Sequence, residues 1–328
     1  INMNNFKKVG LTALAGSLIA TSAFAGSLSV SGGADLTLTN QTNHTQGNGF
    51  SSGDSLNFSG TTELDNGMVI TSKQEIDGGA LDDRSLTIEM PDMGTLIFQS
   101  SGNTAMSAVD DVMPTAYESA WDVLAQGTTS AAAARTAGQA LKEGSIGGFS
   151  TANNFFYTAP DLVDGLKLTA SYTPSGKGGT RPDGSVSFAL EYTGVEGLTI
   201  GMASDDNGRK GTNKLETDTM YAKYAFGSFT IGVQQSDQDQ DGGTASDDEF
   251  SAHGITYQVS DDFTIGYHAS ERQMGDKTGD EEPKNLSASY TQGGMTISAA
   301  MISMDNVGGS TASRDDIDGY KIGVSFAF

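Results

Sequence analysis

Oxygen ligands dominate the chemistry open to this chain. Asp237-Gln238-Asp239-Gln240-Asp241-Gly242 reads D-x-D-x-D-G, the first half of an EF-hand-type loop. In such a loop alternate carboxylates and a glycine turn wrap several oxygens around Ca²⁺. The twelfth position is Asp248 and Glu249 follows it, so the usual bidentate glutamate is displaced by one residue. Asp237, Asp239, Asp241, Asp248 and Glu249 are the candidate ligands. The plainer reading is a solvated acidic loop tip, which half a motif favours. Asp205-Asp206, Asp280-Glu281-Glu282 and Asp315-Asp316 are further acidic clusters. Divalent ions at such acidic loops could bridge to neighbours or to lipid head groups. A second set of carboxylates, Asp110, Asp111, Glu118 and Asp122, falls within one long polar segment.

Catalysis has little to work with. The three histidines are His44, His253 and His268, and no cysteine occurs. His268 shares a strand face with Ser270, yet a lone histidine there is more often a polar wall residue than a general base. Neither G-x-S-x-G nor H-E-x-x-H is found. With no nucleophile–base pair to name, the chain is not expected to be an enzyme, and no cofactor is required. The missing cysteines exclude disulfides and thiolate metal sites. The formal net charge of -23 excludes a nucleic-acid surface.

The elements that must position these residues begin after an export segment. Met3 reads as the start, with Ile1 and Asn2 upstream. Lys7 and Lys8 form a positive n-region, Val9 to Ala20 an apolar h-region, and Ala23-Phe24-Ala25 a small-x-small cleavage site before Gly26. That pattern is a secretory signal peptide over residues 1–25, cleaved between Ala25 and Gly26. It is short and dilute for a membrane helix, and no stop-transfer charges follow.

The remainder, 26–328, reads as all-β. Tight-turn signals recur at Asp65-Asn66-Gly67, Pro91-Asp92-Met93-Gly94, Asp164-Gly165, Glu196-Gly197, Phe226-Gly227, Ser260-Asp261-Asp262 and Gly293-Gly294, where Gly, Asn and Asp supply the positive φ that hairpins need. Between most of them lie about thirty residues, enough for two strands of about ten and one longer loop. Pairing strands around these turns and adding the two terminal segments gives sixteen strands. The first is expected at 26–40, the second at 55–64, the tenth at 218–225, the eleventh at 228–237 and the last at 318–328. Alternation supports them: Phe229, Ile231 and Val233 oppose Thr230, Gly232 and Gln234, and Phe263, Ile265 and Tyr267 oppose Thr264, Gly266 and His268.

The closing segment is the sharpest case. Tyr320, Ile322, Val324, Phe326 and Phe328 fall on one face, and Lys321, Gly323, Ser325 and Ala327 on the other. An edge strand this apolar is an aggregation hazard in water. It makes sense if it closes a barrel and turns its apolar face to lipid. A soluble sandwich also alternates, with the apolar face inward. The export signal, the even strand count and the aromatics near strand ends favour the membrane version.

With these features the chain resembles the Gram-negative porins, in style closest to the acidic porins of α-proteobacteria. The resemblance covers the whole mature chain. It rests on the signal, on Gly26-Ser-Leu-Ser-Val-Ser-Gly opening the first strand, on Gly94-Thr95-Leu96-Ile97-Phe98 before one outsized loop, and on the terminal Phe328. It implies a 16-stranded antiparallel transmembrane β-barrel in the outer membrane, a homotrimer with contacts through the first several strands, and passage of small hydrophilic solutes and ions. It implies that the third loop, here 102–152, folds inward and narrows the pore. It also implies that Phe326 and Phe328 are read by the outer-membrane assembly machinery.

On that expectation Asp110, Asp111, Glu118 and Asp122 project carboxylates into the pore and concentrate cations. Tyr117 and Trp121 pin the loop to the wall. Lumen parity assigns Lys73, Glu75, Lys167, Glu191, Lys223, His268 and Lys321 to the pore wall, with Glu63 and Glu89 also on that face, and sets Arg84 at the rim or a subunit contact. Porins of the family commonly set a basic wall against an acidic loop. The dense arginine cluster is missing here, so the expected pore is acidic and prefers cations. The second reading is a secreted acidic, Ca²⁺-dependent β-rich adhesin or surface-layer protein, for which Asp-Gly-Gly at 77–79 and 241–243 speaks. A fixed short period, which solenoids require, is absent.

Overall fold

The computed structural model describes residues 26–42, 49–100, 104–109, 112–119, 153–175, 184–208, 214–240, 247–275, 278–309, 311 and 316–328. The expected signal segment lies outside them, as do His44, Asp110, Asp111, Trp121, Asp122 and Asp241.

Sixteen strands follow in chain order: β1 (Ser27–Gln41), β2 (Phe50–Glu63), β3 (Val69–Asp77), β4 (Ala80–Met90), β5 (Gly94–Gln99), β6 (Asn154–Thr158), β7 (Leu166–Thr173), β8 (Ser185–Val195), β9 (Leu198–Asp206), β10 (Leu215–Phe226), β11 (Phe229–Gln240), β12 (Asp248–Ser260), β13 (Phe263–Met274), β14 (Glu282–Gln292), β15 (Met295–Asp305) and β16 (Ile317–Ala327). Each pairs antiparallel with its sequence neighbours, and β16 pairs with β1, so the sheet closes. Closure removes the sheet edge and satisfies the ladders internally, which hydrocarbon demands because it offers no substitute hydrogen bonds. Among the described residues no helix is long and apolar enough to cross a membrane.

Period-two alternation decides which side chain faces where. On β11 Phe229, Ile231 and Val233 point outward and are exposed, while Gly232, Gln234, Ser236 and Gln238 point inward and are buried. The outer face carries large apolar groups: Met220 is 61 % and Met301 68 % exposed. A soluble protein buries such groups, so this distribution, together with the closed ring, disfavours the secreted reading. Asp-Gly-Gly at 77–79 is no repeat. Gly78 and Gly79, with φ of 53° and 80°, form the two-residue turn between β3 and β4.

Strands extend past their expected ends mainly on the side of the longer loops. β2 begins at Phe50, β10 at Leu215, and β11 runs on to Gln240. Backbone pairing continues there although the side chains turn polar, because ladder hydrogen bonds do not depend on hydropathy. The last residue pairs with β1 across the seam. The Phe328 backbone N–H donates to Gly32 O at 3.0 Å and Gly32 N–H donates to Phe328 O at 2.8 Å. A Cβ on Gly32 would overlap the Phe328 ring, so glycine is what lets the terminal aromatic lie there.

The buried apolar core is inside the ring. Met106, Val109 and Met113 of the long third loop pack with Tyr221, Phe250, Met304, Val307 and Ile317.

Candidate functional site: the inner wall and its loop

The described parts of the third loop, 104–109 and 112–119, lie against inward-facing groups from β7 round to β16. Thr104 and Ser107 brace a short 3-10 turn, Met106–Val109, with the Thr104 N–H donating to Ser107 Oγ at 2.8 Å. Ala105 N–H donates to Ser171 Oγ at 3.1 Å on β7. Gln234 Nε2 donates to Val109 O at 3.5 Å on β11. Ala116 N–H donates to Ser287 Oγ at 3.2 Å, and Asn285 Nδ2 donates to Glu118 O at 2.6 Å, both on β14.

Glycines form the seat. A Cβ on Gly232 or Gly254 would collide with Pro114, on Gly266 with Ala116, and on Gly323 with the Tyr117 hydroxyl. Sequence reasoning missed this role. The available signal was glycine at inward positions inside strands, which marks close approach of another backbone. It also missed the inward apolar Ile302 and Met304 on β15, which lie under the loop rather than in water: Met304 packs with the Met106 cluster, and Ile302 with Tyr117.

A charged latch ends this stretch. Lys321 Nζ on β16 donates to Glu118 Oε1 at 2.6 Å and Oε2 at 2.5 Å. Charge-assisted pairs of this kind are stronger than neutral hydrogen bonds. Lys321 also stands 5.6 Å from the centre of the Tyr117 ring. Burial, then the charges of Glu118 and Asp35, push the Tyr117 hydroxyl up to about 12, so it stays protonated and a donor at neutral pH.

The opposite wall is different. No residue of β1–β5 is buried. Its inward face carries Asp35, Glu63, Glu75, Asp77, Asp83 and Glu89 against Lys73, with hydroxyls between them. Asn57 Nδ2 donates to Glu75 Oε1 at 3.1 Å, and Thr61 and Thr71 hydroxyls bond at 3.0 Å. Asp35, Asp77 and Asp83 were not among the residues singled out from the sequence, although their parity was readable.

The other wall candidates separate into three situations. Lys73 and Glu75 lie on the uncovered wall. Lys167 stands directly across the ladder from Glu191, which accepts a short hydrogen bond from the Tyr221 hydroxyl, and Lys223 lies 5.6 Å from the Tyr221 ring centre. His268 is the exception to a pore-lining role. It faces inward but is fully buried. Its ladder partners are Gly254, which meets Pro114, and Asn285, which donates to Glu118, so the loop covers it. Lys321 is held by Glu118, so the basic partner facing an acidic loop is spent on the loop itself.

The ladder places four of the five candidate calcium ligands, and Asp241 lies outside the described residues. Asp237 and Asp239 belong to β11 and point to the outer face, not to a loop tip. Glu249 lies directly opposite Asp237 on that face, whereas Asp248 points inward and binds Arg272. Ladder pairing over 237–240 and 248–249 thus sends these carboxylates to opposite sides of the sheet. Among the described residues no group of three or more His, Cys, Asp or Glu is placed to hold a metal ion.

A groove of about 630 Å³, lined by Tyr157, Leu168, Phe188, Leu190, Met202 and Met220 among others, lies on the outer face of the ring, away from the interior.

A closed ring with an apolar exterior, a polar interior and the described stretches of the third loop packed against its inner wall is the setting in which the comparisons fall. The sequence model of the Gram-negative porins matches residues 10–328. The chain belongs to the Gram-negative porin family. No curated protein matches it. Among solved structures this porin is similar to a loop-deletion form of OmpT, an outer membrane protein of Vibrio cholerae, at 15 % identity and TM-score 0.66, over 93 % of this chain and 100 % of the other. It is similar to Salmonella typhi OmpF in complex with daunomycin at 13 % identity and TM-score 0.67, over 93 % and 98 %. It is similar to an anion-selective porin from Comamonas acidovorans at 14 % identity and TM-score 0.68, over 92 % and 100 %. At such identities the likeness concerns the fold, and charge preference rests with the side chains.

Proposed function

We propose that this porin is an outer-membrane diffusion channel for small hydrophilic solutes and that it favours cations. The observation that carries the reading is the inner face of β2–β5, where Glu63, Glu75, Asp77, Asp83 and Glu89 face Lys73 and no residue is buried. Low-dielectric walls focus the field of such carboxylates and raise the local concentration of cations. The third loop, 102–152, is the constriction on this reading. Glu118 anchors it, and Asp110, Asp111 and Asp122 add to its negative charge.

Assembly as a homotrimer fits a polar strip on the outer face of β2–β4. Asp54, Gln74 and Arg84 occupy outward parity there, with Gln74 directly opposite Arg84. Arginine facing lipid costs about 2–4 kcal/mol near the bilayer midplane, and a subunit contact removes that cost. Residues 1–25 direct export, and Phe326 and Phe328 mark the chain for the assembly machinery.

The test is a planar-bilayer recording of purified protein in a KCl gradient. A zero-current potential of cation-preferring sign supports the reading, and an anion-preferring sign overturns it. Deleting Phe328 lowers the yield of heat-modifiable barrel in outer membranes; normal assembly with altered conductance would remove that role from the residue.

A further inference from the structure

A small compartment lies between the loop and the β1–β16 seam. It measures about 430 Å³ and is lined by Asp35, Thr37, Tyr117, Glu118, Ser298 and Lys321, among others. Its charges do not cancel. Both oxygens of Glu118 hold Lys321 at 2.5 and 2.6 Å, so that pair is internally neutral. Asp35 remains. Among the described residues no cation pairs with it, and its carboxylate lies over the Cα of Gly53, where a Cβ would overlap it. Tyr117 lines the same compartment. The compartment therefore presents one uncompensated carboxylate, an aromatic ring and hydroxyls.

We propose that this compartment is a binding site for the ammonium or guanidinium end of a small organic cation in transit, with Asp35 as its counter-ion and Tyr117 as its aromatic wall. The inference rests on the cation-preferring reading and names a solute class for it. A bare metal ion is a poor match, because hard cations take six or more converging oxygens, whereas an alkylammonium is satisfied by one carboxylate, a few hydroxyls and a π face. The volume also suits a molecule of several heavy atoms rather than an ion.

The probe is 1,4-diaminobutane, set against butane-1,4-diol of the same length, added during single-channel recording of the purified porin in KCl. Block by the diamine at concentrations where the diol is silent is expected. Asp35→Asn raises the half-blocking concentration about tenfold, the loss of one charged hydrogen bond. Asp35→Glu restores most of it, Tyr117→Leu weakens block severalfold, and Tyr117→Phe changes it little. Ser325→Lys tethers a competing amine across the ladder from Asp35 and weakens block as well, which keeps the test open if Asp35→Asn does not fold. Equal block by diol and diamine, or unchanged block in both Asp35→Asn and Ser325→Lys, overturns the site. The zero-current potential separates the two readings. A cation-preferring channel without diamine block defeats this inference alone, and an anion-preferring channel defeats the reading beneath it.

Discussion

The inner faces of β1–β5 and of β7–β16 follow the same alternation, yet they do different work. On β7–β16 inward groups such as Ser187, Ser236, His268 and Ser287 are buried, glycines replace side chains where the loop crosses, and Ile302 and Met304 are tolerated because the loop lies over them. On β1–β5 nothing is buried and carboxylates recur. One wall is a seat and the other is a surface for solutes. Parity tells which way a side chain points. What covers it depends on a segment far away in the chain.

The largest effect expected from breaking the seat is at Gly254. Gly254→Leu drives a side chain into Pro114, and overpacking of this kind costs about 1–3 kcal/mol. The unfolding midpoint falls and single-channel conductance changes as the loop is displaced. Ser59→Leu on the other wall meets none of the described loop residues and leaves stability within about 0.5 kcal/mol. Equal losses in the two variants would erase the distinction between the walls.

Next comes the latch. Glu118→Gln removes the carboxylate that holds Lys321. Because the pair is partly exposed, at 17 % and 30 %, solvent screening reduces the loss to about 1 kcal/mol. Urea titration of the folded barrel reads it, and added salt narrows the difference between the wild type and the variant.

Selectivity sharpens the contrast further. Glu75→Gln combined with Asp83→Asn shifts the zero-current potential toward neutrality. Glu191→Gln, beside Lys167 and bonded by Tyr221, shifts it less. The smallest effect is at Asp237→Asn on the outer face, where stability stays within about 0.5 kcal/mol and Ca²⁺ does not change the unfolding midpoint. A Ca²⁺-dependent midpoint lost in that variant would support the calcium reading.

The ring itself was legible in the residues. Runs such as Phe229-Thr-Ile-Gly-Val and Phe263-Thr-Ile-Gly-Tyr announce strand, parity and face at once, and the turn glycines separate them. The strand ends toward the longer loops were less legible, since Phe50 to Asp54 and Gln238 to Gln240 pair through the backbone without an apolar signal. The D-x-D-x-D-G pattern did not announce that Asp237, Asp239, Asp248 and Glu249 pair in a ladder with neighbouring strands. Gly232, Gly254 and Gly266 were visible as inward glycines, but their partner Pro114–Ala116 lies more than a hundred positions away, beyond any local pattern.

The most direct test of a path along β1–β5 uses the absence of native cysteine. Ser59→Cys places a thiol on the uncovered wall, and Ser236→Cys places one on a fully buried inward position of β11. A cationic thiol reagent is added while current flows through single channels. The expected result is a fast stepwise fall in current for Ser59→Cys and none for Ser236→Cys. Rapid modification and block at Ser236→Cys, with Ser59→Cys silent, would place the path on the other wall and contradict the assignment.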